Sequence, residues 1–198
     1  MKSLIIVTLL LFSFLTPDVL TKMVDAVYIP DPVIVVEGAD DKGTPVILEY
    51  EKKTGTLIKH SGDREKGEKS TDFDLFLKIF FFPGEHTSPD TMKKASETIA
   101  GLLKAKGIKT ENCIVSAIDD GGDPVISIGK EKRFSNSNEL AVFKGSYLPS
   151  GLTVNEETIV FSEYHKSVLP AAFPGRIEFY SNGNLIKTWM FYRKEHRQ

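Results

Sequence analysis

Short apolar runs separated by turn-forming residues make up most of the chain, and this pattern constrains the fold more than any other sequence feature. The runs are rich in β-branched and aromatic residues, which favour strands. Asn182-Gly183, between two such runs, is typical of a tight β-hairpin. The predicted strands are Val33–Val36, Pro45–Tyr50, Thr56–Lys59, Phe73–Phe82, Cys113–Ile118, Val125–Ile128, Leu140–Leu148, Thr158–His165, Arg176–Tyr180 and Leu185–Tyr192.

Residues 89–106 are predicted to form one amphipathic helix. Ser88 is a favourable N-cap and Pro89 suits the first helical position. Gly107, followed by Ile108, is typical of a left-handed helix end. Apolar residues at helical spacing form one stripe along this segment: Met92, Ala95, Ile99, Leu102 and Leu103.

Strands therefore predominate, with a helix inserted between them and no regular alternation of strand and helix. The pattern predicts an α+β fold in which a largely antiparallel, twisted sheet of about 8–10 strands packs against the helix. A β-sandwich with one inserted helix is the alternative. A division into two small sheets near Gly129–Glu139 is a further alternative to a single α+β domain.

The N-terminus resembles a secretory signal. Lys2 is followed by the apolar run Leu4–Leu15, which is shorter than the about 20 residues a membrane-spanning helix needs. Ala26 is the small residue that suits a cleavage site, although the stretch after Leu15 is long for one. We expect a signal peptide over residues 1–26 and a mature domain over residues 27–198, without a transmembrane span. An uncleaved N-terminal anchor is the alternative.

Net charge and cysteine content bear on the kind of partner and on the compartment of the protein. The formal net charge is −2, which gives no electrostatic reason to expect a nucleic acid partner. Cys113 is the single cysteine, so the chain forms no disulfide of its own, and it has no Asn-x-Ser/Thr glycosylation acceptor. We therefore expect an exported protein in a bacterial periplasm or outside the cell. No phosphate-binding or dinucleotide motif indicates a cofactor, and the oligomeric state is left open.

Two histidine-containing segments are candidates for acid-base chemistry. His86 follows Glu85 in a turn before the helix, and strand alternation puts Glu163 and His165 on one face. A small hydrolase or metal-dependent enzyme using His86, Glu163 and His165 is therefore one functional hypothesis. A solvated turn and the wet face of a sheet are the structural alternatives.

A third polar segment is rich in carboxylates. Asp119, Asp120 and Asp123 lie close together with two glycines, and carboxylate oxygens are the ligands that a hard cation prefers. The segment lacks the spacing of a calcium-binding EF-hand loop. An ordinary Asp-Gly turn explains the same residues.

Aromatic residues are concentrated in the last third of the chain. Trp189, Tyr192 and Tyr180 lie in predicted strands that are apolar on both faces, which indicates either a central strand or a binding surface. Because no nucleophile motif or convergent catalytic set is evident, the leading hypothesis is a non-catalytic exported module. It would bind a protein, a peptide or a component of the cell envelope.

Overall fold

The computed structural model describes residues 18–51, 56–61, 75, 78–79, 88–116, 124–130, 138–164, 169–170 and 172–194. Their contacts divide the chain into two compact units. Unit 1 takes its described residues from Met1–Ala26 and His86–Glu156, and unit 2 takes its own from Val27–Glu85 and Glu157–Gln198. The first segment of unit 1 thus precedes unit 2 in the sequence, and its second segment is inserted between the two parts of unit 2.

Unit 2 is an antiparallel sheet. In chain order its strands are β1 (Val33–Asp40), β2 (Pro45–Glu51), β3 (Thr56–Ser61), β8 (Glu157–Ser162), β9 (Arg176–Ser181) and β10 (Asn184–Lys194). In space they follow the order β3-β2-β1-β10-β9-β8. The first strand of the chain therefore pairs with the last one, and both hairpins extend outward from that pair.

One face of the unit 2 sheet forms its core. Strand register places most of the buried strand residues on this face, and three ring contacts run along it. The rings of Phe173 and Phe191 meet edge to face, with their centroids 5.2 Å apart. The ring centroid of Trp189 lies 6.3 Å from that of Phe191 and 4.8 Å from that of Phe179. The buried residues on or against this face include Ile34, Val36, Val46, Leu48, Ile159, Phe161, Phe173, Ile177, Phe179, Trp189 and Phe191.

Gly38 is where β1 approaches β10 most closely. A Cβ at this position would overlap the main-chain oxygen of Met190 and lie 2.9 Å from the Cα of Phe191. The register shifts at the same point, since Glu37 pairs with Arg193 whereas Gly38 pairs with Phe191. Tyr192 is thus the extra residue of a β-bulge on β10.

Among its described residues, unit 1 combines two helices with four antiparallel strands. Helix α1 covers residues 18–26 and helix α2 covers Pro89–Ala105. The strands are β4 (Cys113–Ser116), β5 (Val125–Ile128), β6 (Glu139–Phe143) and β7 (Pro149–Val154), in the spatial order β7-β6-β5-β4. The buried side chains of these elements include Val19, Met23, Ile99, Leu103, Ile126, Ile128, Leu140, Val142, Leu152 and Val154.

Helix α2 begins and ends as the sequence predicts. The Ser88 hydroxyl accepts a hydrogen bond from the Thr91 amide at 3.3 Å, and the Thr91 hydroxyl accepts one from the Ser88 amide at 3.2 Å. At the other end Gly107 has a φ of +75°, and the Ile108 amide donates to the Leu103 carbonyl. Main-chain groups left unpaired by the helix are satisfied at both ends.

The α+β class and the mostly antiparallel sheet are confirmed, but three details of the prediction are wrong. Helix α1 accompanies α2, so the helix is not single. The described residues of the predicted strand Phe73–Phe82 are helical: Leu75 and Ile79, four apart, are buried and Lys78 is exposed. A short apolar run does not by itself distinguish a strand from a buried helix.

The strand predicted at Leu140–Leu148 is also interrupted. β6 ends at Phe143, and the amide of Tyr147 then donates to the Phe143 carbonyl at 2.8 Å. Tyr147 has a φ of +59°, so the chain turns here before β7. Lys144-Gly145-Ser146 was the turn signal that this prediction overlooked. Within the described part of the chain, no helix is long and apolar enough to span a membrane.

Replacing Gly38 tests the close approach of β1 and β10. We expect Gly38→Ala to lower the free energy of unfolding by about 2 kcal/mol, because the new methyl group meets main chain that is held in the sheet. Gly101→Ala is the control, since a Cβ there meets nothing within 4 Å and lies in a helix. It should raise stability by roughly 0.5–1 kcal/mol. Urea unfolding followed by circular dichroism measures both; equal effects would contradict the close approach.

Candidate functional site

The face of the β9–β10 hairpin opposite the unit 2 core carries the candidate site. Asn182 and Gly183 both have positive φ, at +50° and +77°, and form the tight turn. Register then places Tyr180 opposite Leu185, Glu178 opposite Thr188 and Arg176 opposite Met190. We call this surface the hairpin face. It comprises Arg176, Glu178, Tyr180, Leu185, Ile186, Thr188, Met190 and Tyr192.

Large apolar side chains on the hairpin face are exposed. Tyr192 is 56% exposed, Ile186 55%, Leu185 52% and Met190 43%. Two of them owe their position to bulges, because Ile186 is the extra residue where the β9–β10 register shifts and Tyr192 is the extra residue opposite β1. Bulges re-aim side chains that a regular ladder would place differently.

The predicted binding residues separate onto opposite faces. Trp189 is 4% exposed and packs in the core between the rings of Phe179 and Phe191. The Lys187 amine lies 5.2 Å from the Trp189 ring centroid. Tyr180 pairs with the exposed Leu185 on the hairpin face, and Tyr192, the extra residue of the bulge after Phe191, is itself 56% exposed. Only the two tyrosines therefore belong to the exposed surface.

An ion pair lies beside the apolar residues. The Arg176 guanidinium donates to Glu178 Oε1 through Nε at 3.1 Å and through Nη2 at 2.6 Å. Glu178 is the more buried partner, with 16% of its side chain exposed compared with 38% for Arg176. Two hydrogen bonds to one carboxylate oxygen fix the guanidinium plane, so the charged groups are held in place before any partner arrives.

Tyr180 extends this cluster. Its hydroxyl donates to Glu178 Oε2 at 3.4 Å, so both carboxylate oxygens of Glu178 are in use. Burial and then the negative charge of Glu178 raise the pKa of Tyr180 above its ordinary value of about 10. The phenol is therefore neutral at physiological pH and acts as a hydrogen-bond donor.

Glu163 joins the cluster from the segment after β8. Its carboxylate lies 3.9 Å from Arg176 Nη1, and its main-chain oxygen accepts a hydrogen bond from the Gly175 amide. The residue has a φ of +57°, which is uncommon for a side chain of this size. Glu163 is thus placed next to an arginine.

The remaining predicted site residues lie outside the described part of the chain. These are His86 and His165, with which Glu163 was grouped as an acid-base site, and Asp119, Asp120 and Asp123, considered as cation ligands. Among the described residues no group of three or more His, Cys, Asp or Glu side chains is assembled as a metal site.

Sequence reasoning did not single out Arg176, Glu178 or Met190. The available signal was spacing, because Arg176, Glu178 and Tyr180 alternate along one strand and must share a face. Their pairing with Met190 follows from the Asn182-Gly183 turn, which fixes the register of the hairpin. The bulges that expose Ile186 and Tyr192 have no equivalent sequence signal.

Comparison with protein-family models, with curated proteins and with solved structures found no match to this chain. The geometry of the hairpin face is therefore the basis for a functional proposal.

The titration of Tyr180 tests the charged cluster. Because its pKa is higher in the folded chain than in the unfolded one, the stability it contributes is present below about pH 10 and is lost as pH rises through the folded pKa. Tyrosinate absorbance should show a late-titrating phenol that is missing in Tyr180→Phe. Glu178→Gln should lower the pKa of Tyr180, since it removes the adjacent negative charge. An unchanged curve in Glu178→Gln would contradict this geometry.

Proposed function

We propose that this protein is an exported, non-catalytic interaction module that binds a protein partner on the hairpin face, in the periplasm or outside the cell. The observation that carries the proposal is the exposure of Met190 and Tyr192 on the same face as Arg176. Tyrosine, methionine and arginine are the residue types enriched at the centres of protein interfaces.

The arrangement of polar and apolar groups supports a protein partner. Met190 and Tyr192 offer an apolar contact, and the cluster of Arg176, Glu178 and Glu163 lies beside it. Protein interfaces combine an apolar centre with a polar rim in this way. The three charged side chains carry a net charge of one negative unit, which favours a partner that brings a basic group to the rim.

The rigidity of the hairpin face supports the same proposal. Trp189 and Phe191 alternate with Thr188, Met190 and Tyr192 along β10, and both aromatic rings are held in the core by edge-to-face contacts. A binding residue on a strand whose other face is packed loses little conformational freedom when a partner docks. The export component of the proposal is supported by the apolar run Leu4–Leu15.

A differential capture experiment tests the proposed interface. The full-length chain is immobilised and incubated with the exported protein fraction of its own source, and bound proteins are identified and titrated by mass spectrometry. We expect the double variant Met190→Ser/Tyr192→Ser to bind its partner at least about tenfold more weakly, because two apolar contacts at the centre are lost.

Val115→Ser is the matched control. Val115 lies on β4 in unit 1 and is 42% exposed, close to the value for Met190, so it has the same surface character at a different place. Its binding should equal that of the unmodified chain. Equal loss in both variants, or retention in both, would contradict binding at the hairpin face. Circular dichroism of each variant checks that the fold is kept.

A further inference from the structure

The segment before Val27 has the sequence of an amphipathic helix that belongs to a folded domain. Val19, Leu20, Met23 and Val24 recur with the helical period, and Asp18, Lys22 and Asp25 lie between them. Asp18 and Lys22 form an ion pair of 2.7 Å, four residues apart, with the acidic residue on the N-terminal side. That order is the more favourable one for a helix.

The structure buries the apolar side of α1 in unit 1. Met23 is fully buried, and Val19, Leu20 and Val24 each retain 4% exposure or less. Buried residues of α2 and of the unit 1 strands, such as Ile99 and Ile126, are 0% and 5% exposed. Side chains buried to this degree are close-packed like those of any protein interior, so α1 is part of the unit 1 core.

Polar contacts connect α1 with two other elements of unit 1. The Thr21 hydroxyl donates to Ser96 Oγ of α2 at 3.4 Å, and Ser96 itself is buried. The Lys22 amine lies 5.1 Å above the ring of Tyr147, in the turn between β6 and β7. The exposed side of α1 is therefore also oriented by specific partners.

We propose that the mature, folded protein retains residues 18–26, and that any cleavage of the N-terminal signal occurs before Asp18. Cleavage after Ala26 would remove four buried apolar side chains from unit 1 and expose the surfaces they cover to water. Signal peptidase acts on unfolded chain, so packing does not block the cut. Unit 1 instead needs α1 to complete its core.

The periodicity of the segment agrees with this assignment. The region before a signal cleavage site is recognised by small residues at defined positions. Besides Ala26, the segment carries the apolar residues Leu20, Met23 and Val24 at helical spacing, and all three are buried in unit 1. Their presence is explained by packing in the folded protein.

Intact mass and N-terminal sequencing of the protein purified from its own source give the first test. An N-terminus at or before Asp18, including the unprocessed chain, supports the proposal. A folded chain that begins at any residue from Val19 onward, including Val27, overturns it. Neither readout involves a binding partner, so failure here is distinct from failure of the proposed interface.

Two substitutions in the full-length chain give an independent test. Met23→Ala should lower the midpoint of thermal unfolding of the purified mature protein by on the order of 10 °C, because it removes a fully buried side chain. Asp25→Ala, on the exposed side of the same helix, should leave the midpoint unchanged. If Met23→Ala also leaves it unchanged, α1 is not part of the mature core and the proposal fails.

Discussion

Pairing of β1 with β10 is the interaction on which unit 2 depends. The other described strand pairs of this unit join neighbours in sequence, whereas β1 and β10 come from opposite sides of the unit 1 insertion. The pairing closes a loop of more than a hundred residues, a cost in conformational entropy that the sheet contacts must offset. Gly38 makes the pairing sterically feasible, because a larger residue would collide with the main chain of β10.

Strand β10 serves two purposes through its alternation. Trp189 and Phe191 fix the core on one face, while Met190 and Tyr192 are presented on the other. The bulge opposite Gly38 contributes to both faces. It permits the close contact with β1, and it makes Tyr192 the residue of β10 that has no strand partner on β1. A change at Gly38 should therefore disturb the hairpin face as well as the core, because the same backbone irregularity sets both.

The sequence predicted those elements whose signals are local. Ser88 and Gly107 marked the ends of α2, and Asn182-Gly183 marked the β9–β10 hairpin. The strand predicted at Phe73–Phe82 is wrong for its described residues, because a short apolar run fits a strand and a buried helix equally well. Leu75 and Ile79, which are four residues apart and both buried, indicate the helix. The pairing of β1 with β10 is non-local, and no short sequence window contains it.

Sequence alone does not separate the aromatic residues of the core from those of the hairpin face, for a related reason. Trp189 and Tyr192 are both aromatic and only three residues apart, so residue type does not distinguish them. In the sheet Trp189 is buried in the core, whereas Tyr192 is exposed to solvent. The same ambiguity affects residues 18–26, where a short stretch of mixed polarity after an apolar run suits both the end of a signal peptide and an amphipathic helix. The structure describes residues 18–26 as a helix, in which Val19, Met23 and Val24 repeat at helical spacing and are buried. On the proposal that the mature protein retains residues 18–26, helical spacing marks the start of the domain, and the small residue Ala26 does not mark a cleavage site.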